Sequence, residues 1–190
     1  MVDTAVGARR RIGRRLIGSV AGLLAVGFLA AMVLSGQMRE SKQFVKFVPG
    51  GVMPAPPAEI DRVELRAGTG RWVFVRADGH WQTSERRLLP VALATHLDDS
   101  IKFMHVSAPI RVMERDEWAP IGLREFGLDP PRYTAVLFRG RAAVLEAHFG
   151  APNPQQVLQY MKLERGNEVY LMSRFIGQEW EQALREVAGR

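Results

Sequence analysis

Apolar positions along this chain follow three patterns in succession. The first is unbroken. Leu16 to Ser35 reads LIGSVAGLLAVGFLAAMVLS and carries no charge. About 20 residues of helix cross a hydrocarbon core of about 30 Å, so the run predicts a transmembrane helix. It exceeds the 7–15 apolar residues typical of a signal peptide, which favours an anchor that stays attached. Cleavage at Val33-Leu34-Ser35 is the alternative, and either outcome exports the rest of the chain.

The second pattern has a period of two. Val63 and Leu65 alternate with Arg62, Glu64 and Arg66 from Glu59 onward, which predicts a strand. Arg71–Arg76 is a second strand and His80–Thr83 a third, with Asp78-Gly79 as the hairpin turn between them because both residues tolerate positive φ. Gly68-Thr69-Gly70 is another hairpin turn. An extended stretch is expected at Ser107–Glu114. Four further strands are expected at Tyr133–Phe138, Ala142–Phe149, Gln156–Leu163 and Glu168–Met172, with turns at Arg139-Gly140-Arg141 and Arg165-Gly166-Asn167.

The third pattern has a helical period. Leu89, Leu93, Leu97, Ile101 and Met104 predict a helix over Leu88–Met104, with Pro90 in its first turn. Ile176, Trp180, Ala183, Leu184 and Val187 predict a second over Arg174–Val187. Strands joined by short turns pair antiparallel. The expected fold class is α+β: an N-terminal transmembrane helix, then an antiparallel-sheet domain with two principal helices on one face. Between anchor and domain, residues 36–58 contain Pro49, Gly50, Gly51, Pro54, Pro56 and Pro57 and read as a semi-rigid linker. The expected organisation is a basic tail over 1–15, the membrane helix over 16–35, the linker over 36–58 and the domain over 59–190.

Charge orients this arrangement. The chain has 190 residues and a formal net charge of +6. Arg9, Arg10, Arg11, Arg14 and Arg15 against Asp3 leave +4 in residues 1–15, so the remainder carries only +2. The positive-inside rule then puts the N-terminus in the cytoplasm and the domain outside it. Arg39, Lys42 and Lys46 weaken the asymmetry without reversing it. A nucleic-acid-binding domain would carry its excess positive charge in the folded part, so no nucleic-acid partner is expected. The absence of cysteine excludes disulfides, thiolate metal sites and a thiol nucleophile.

Candidate chemistry is sparse. His80, His96, His105 and His148 form no H-x-x-x-H pair. His80 and His148 lie on strands and are the two that could meet across a sheet. Asp98 and Asp99 diverge by about 100° on a helix, so they do not share a proton. Glu114, Asp116 and Glu117 sit in what reads as a solvated loop. No enzymatic activity, cofactor or metal is expected. Small residues four apart mark the membrane span instead: Gly18 with Gly22, and Gly27 with Ala31. They form a face that suits packing against an integral membrane partner or a second copy of the chain.

One segment stands apart. Gly127-Leu128-Asp129-Pro130-Pro131 precedes the alternating run at Tyr133. Gly127 permits positive φ, Asp129 can turn the chain through its own carboxylate, and the prolines enforce an extended entry. Leu128 is expected to plug into the core. The segment resembles the "yGLdpP" hallmark of a bacterial family catalogued as domain of unknown function 4340. Three other segments strengthen the resemblance: the Asp78-Gly79-His80-Trp81 turn, Phe149-Gly150-Ala151-Pro152 followed by Tyr160, and Val169-Tyr170-Leu171. Together they span about Ile60 to Arg174. The resemblance implies a module anchored in the bacterial inner membrane, with a periplasmic domain and no known catalytic residues, in a family whose members often sit beside ABC-type exporters. Two roles fit. One is an accessory subunit of a membrane complex such as a transporter. The other is an assembly or maturation factor for an exported enzyme.

Overall fold

The computed structural model describes residues 25–28, 31 and 50–189. Residues 25–28 and 31 are helical. The rest of the expected membrane span lies outside the described residues, among which no helix is long and apolar enough to cross a membrane.

From Gly50 the chain forms an α+β domain around one eight-stranded, fully antiparallel sheet. The strands are β1 (Arg62–Ala67), β2 (Gly70–Ala77), β3 (His80–Thr83), β4 (Arg111–Met113), β5 (Tyr133–Arg139), β6 (Ala142–Pro152), β7 (Leu158–Leu163) and β8 (Val169–Ser173). Their spatial order is β3-β2-β1-β5-β6-β7-β8-β4. Two meanders therefore join at β1 and β5, and β4 closes the far edge against β8. Two long helices complete the frame, α1 (Val91–Val106) and α3 (Arg174–Ala188). A single turn of helix, α2, spans Arg115–Trp118.

Alternation along each strand sorts side chains onto two faces. Val63, Leu65, Phe74, Leu137, Phe149 and Met161 meet Leu93, Leu97 and Ile101 of α1 and Ile176 and Trp180 of α3 in the main core. The helices touch along that face, where Phe103 and Phe175 pack edge to face with ring centroids 5.0 Å apart. Burying one side chain of this size contributes about 1.5–3 kcal/mol, so this layer dominates the stability of the domain. A smaller core of Met113, Phe126, Leu128 and Val169 covers the opposite face at the β7-β8-β4 end.

Several boundaries depart from the sequence expectations, each for a local reason. Residues 50–58 are not linker. Met53 is buried, its N–H donates to Met104 O at 3.0 Å, and Gly51 N–H donates to His105 O at 3.0 Å. The prolines shape this segment while Met53 fixes it to the end of α1. The first helix starts three residues later than expected. Pro90 is its N-cap, and Leu88 pairs instead with Gln82 on the outer edge of β3. The carboxylate cluster at 114–117 is exposed, as expected, but it is not a loop. It starts α2 with a capping box in which Glu114 and Glu117 satisfy each other's backbone N–H groups. β7 begins at Leu158 rather than Gln156, because Asn153 Oδ1 takes up the Val157 and Leu158 N–H groups at 3.0 Å each.

Candidate functional site

Three of the four motif segments converge at one place. Gly127 has φ +65°, and a Cβ on it would lie 2.8 Å from Ala151 N. Ala151 N–H donates to Phe126 O at 2.8 Å, which seats the turn against a bulge in β6 between Phe149 and Pro152. Leu128 is buried with Val169, and Phe126 packs on Tyr160 with ring centroids 4.8 Å apart. The Asp129–Pro130 peptide is cis, and Arg132 N–H donates to Phe149 O at 2.9 Å as Pro131 leads into β5. Thus Leu128 enters the second core, Gly127 sets the turn that places it there, Asp129 and Pro130 are exposed, and Pro131 is half-buried at the entry to β5.

The fourth segment lies at the other end. Asp78 (φ +51°) and Gly79 (φ +77°) make the β2–β3 hairpin. Trp81 is buried, and its Nε1–H donates to Asp98 Oδ1 at 2.8 Å. Arg76 stacks on the Trp81 ring, 4.5 Å from its centroid, and pairs with the same carboxylate. The hairpin is thereby pinned to α1, which accounts for Asp98; Asp99 takes no part.

Each histidine has a partner. His80 bonds Asp78 O at 2.8 Å, and His105 bonds Met53 O at 2.9 Å. His96 bonds Glu179 Oε2 at 2.7 Å, linking α1 to α3. His148 lies between Thr134 Oγ1 at 3.0 Å and Glu164 Oε2 at 2.8 Å, and the Glu164 carboxyl is held below its ordinary range by that imidazole. His80 and His148 do not meet. Three strands, β2, β1 and β5, separate them in the sheet. Among the described residues no group of three or more histidines and carboxylates is placed to hold a metal.

Two polar arrangements had no motif to announce them. On the sheet face opposite the long helices, Glu64 accepts from Arg66 Nε at 2.5 Å and from Arg71 at 2.7 Å, and Arg66 reaches on to Glu146 at 3.0 Å. Hydrogen bonding from Arg71, then from Arg66, lowers the Glu64 pKa to about 2 against the cost of its burial. These side chains face one another only because β2, β1, β5 and β6 are neighbours in register. Beneath α3, Gln159 is buried. It donates to Gly150 O at 3.0 Å and accepts from Arg174 at 2.9 Å, and Arg174 bonds Glu181 at 2.6 Å. Tyr133 Oη–H donates to Gly177 O at 2.9 Å, and burial pushes that phenol well above its ordinary pKa, so it stays a neutral donor. The first arrangement ties strands β2, β1 and β6 to one another, and the second ties β5, β6 and β7 to α3.

Of the residues expected to form a packing face in a membrane, Gly18 and Gly22 lie outside the described residues. Gly27 and Ala31 are helical and exposed, with nothing within 4 Å of a Cβ placed on Gly27. Clefts occur at the sheet margins, one of about 280 Å³ between β6 and the end of β7, lined by Val52, Val144, Leu163 and Glu164, and one of about 400 Å³ beside β2 and the end of β3. Neither contains a nucleophile with an adjacent base. No family model, curated protein or solved structure matches this chain.

Proposed function

We propose that this protein is a non-enzymatic, single-pass accessory protein of the bacterial inner membrane. Its N-terminus is cytoplasmic, its α+β domain is periplasmic, and it serves a membrane complex such as an ABC-type transporter. The observation that carries this reading is the uncharged Leu16–Ser35 run behind five arginines. The domain supports it from the other side, because its histidines and motif residues are spent on packing and hydrogen bonds. Likeness to the domain of unknown function 4340 rests on the four motif segments and adds the transporter context.

Detergent extraction of the native protein tests the proposal. A permanent accessory co-purifies with an integral membrane partner in fixed ratio. Replacing Gly18 and Gly22 with leucine keeps the span hydrophobic, so insertion persists, but bulk at the packing face weakens that association. A partner that dissociates on purification, with the double variant behaving as wild type, overturns the subunit reading in favour of an assembly or maturation factor. A stoichiometric cofactor in the purified protein overturns both.

A further inference from the structure

The sheet is narrower at one corner than its strand count suggests. β3 pairs with β2 only from Phe74 to Ala77, so residues 70–73 of β2 have β1 on one side and no strand on the other. Two tight hairpins set the phase of the main chain there. Ala67 pairs with Gly70, and Ala77 pairs with His80. Residues that close a two-residue hairpin exchange both hydrogen bonds, and the bonding direction then alternates along the strand. Gly70, Trp72 and Phe74 therefore direct their N–H and C=O groups to β1. Arg71, Val73, Val75 and Ala77 direct theirs the other way. β3 meets Val75 and Ala77, and among the described residues nothing meets Arg71 and Val73.

The chain's own course keeps this place open. After Thr83 it turns sharply, with Arg86 at φ +63°, Arg86 N–H donating to Thr83 O at 2.9 Å and Thr83 N–H to Arg87 O at 2.8 Å. It then runs back along the outer edge of β3, where Leu88 pairs with Gln82. A notch in line with β3 remains, about 400 Å³ in volume, with β2 as one wall and the 83–89 turn as the other. No proline or covering strand protects this edge, as sheet edges usually require. Its flanks differ. Trp72 and Leu89, both partly buried against the main core, lie on the helix side. Arg71 lies on the other side, and Arg86 and Arg87 are exposed on the turn. The acidic groups close by are already engaged, Glu64 with Arg71 and Glu85 with Arg87.

We propose that this notch takes an extended segment of a partner protein as a short added strand antiparallel to β2, and that the segment alternates carboxylate and apolar residues. The main-chain groups of Arg71 and Val73 supply the hydrogen bonds of strand addition. A carboxylate opposite Arg71 forms a cross-strand ion pair, and an apolar neighbour covers Trp72. This deepens the accessory reading and rests on it only for the source of the partner.

The test uses the full chain in detergent micelles and a fluorescein-labelled eight-residue peptide of alternating aspartate and valine, followed by anisotropy. Saturable binding is expected, about tenfold or more tighter than for the lysine-valine peptide, and it should be lost when alternate amides are N-methylated. Val73→Pro removes one outward donor and spares the bonds to β1, so it should weaken binding by about tenfold. Arg87→Glu, at an exposed ion pair, should weaken it in the same direction without touching the fold, and it decides the matter if the proline variant does not fold. The proposal is overturned by no saturable binding, by equal binding of the lysine or N-methylated peptide, or by variants that bind as wild type. A membrane partner that still co-purifies in fixed ratio with Arg87→Glu sinks the notch and leaves the accessory reading standing. Peptide binding by a protein that has no membrane partner does the reverse.

Discussion

Gly127 shows how little room a single residue can leave. Its φ of +65° disfavours any side chain, and the 2.8 Å approach of Ala151 N leaves no space for one. Gly127→Val is expected to destabilise the domain by about 1–3 kcal/mol. Leu128→Ala, which empties the centre of the second core, is expected to cost about 2–5 kcal/mol. Denaturant midpoints of the two variants check both, and unchanged midpoints would mean that the turn does not support the core. Glu64 yields a prediction in pH. Its folded pKa of about 2 lies below the ordinary 4.5, so its ion pairs stabilise the fold fully above about pH 4.5. That contribution, on the order of 1–3 kcal/mol, falls away as pH drops toward 2. Glu64→Gln should be less stable than wild type at neutral pH and should lose less on acidification over that interval. Parallel acid profiles of the two proteins would show that Glu64 contributes nothing to it.

At the scale of elements, α3 is held to the sheet by polar contacts in addition to its apolar stripe. Tyr133 bonds the Gly177 carbonyl, and Gln159 lies against the same glycine. A Cβ at Gly177 would fall inside the van der Waals shell of Gln159 Oε1 and 3.0 Å from the Tyr133 hydroxyl. Gly177→Ala raises helix propensity yet is expected to destabilise the domain by about 1–3 kcal/mol, because α3 must lift or Gln159 must leave its partners. A higher melting temperature would show that the contact is slack. The amphipathic pattern of α3 was plain in the sequence, since Ile176, Trp180, Ala183 and Leu184 recur at helical spacing and all are buried. The need for glycine in its first turn was not, because the atoms that exclude a side chain come from β5 and β7, 44 and 18 positions earlier in the chain.

At the scale of the whole molecule, the proposed topology has a direct check. The mature protein is expected to begin at its own N-terminus, and a reporter fused after Arg190 is expected to be active only outside the cytoplasm. A mature N-terminus at Gly36, or a reporter active only inside, would overturn the anchored arrangement. Where the apolar rhythm was strong, the sequence was enough to place strands and helices. β2, β3, β5, β8 and α3 fall within two residues of their expected limits, because each is set by local alternation or helical periodicity and bounded by turn residues. Limits set by distant contacts were illegible. Residues 50–58 look like linker until Met53 is seen against the end of α1, and Leu88 looks like the start of a helix until it pairs with Gln82.

The sequence by itself determined the α+β class, the hairpins, the helical faces and the uncharged run at the front, because these depend on period, turn chemistry and composition within a few neighbours. Only the tertiary structure decided the strand order, which separates His80 from His148, gathers three motif segments into one core and sets Glu64 between two arginines. It also decided that β2 outruns β3 and leaves an open edge. Strand pairing is a contact between distant parts of the chain, chosen by the packing of whole faces, and no local pattern encodes which neighbour a strand will find.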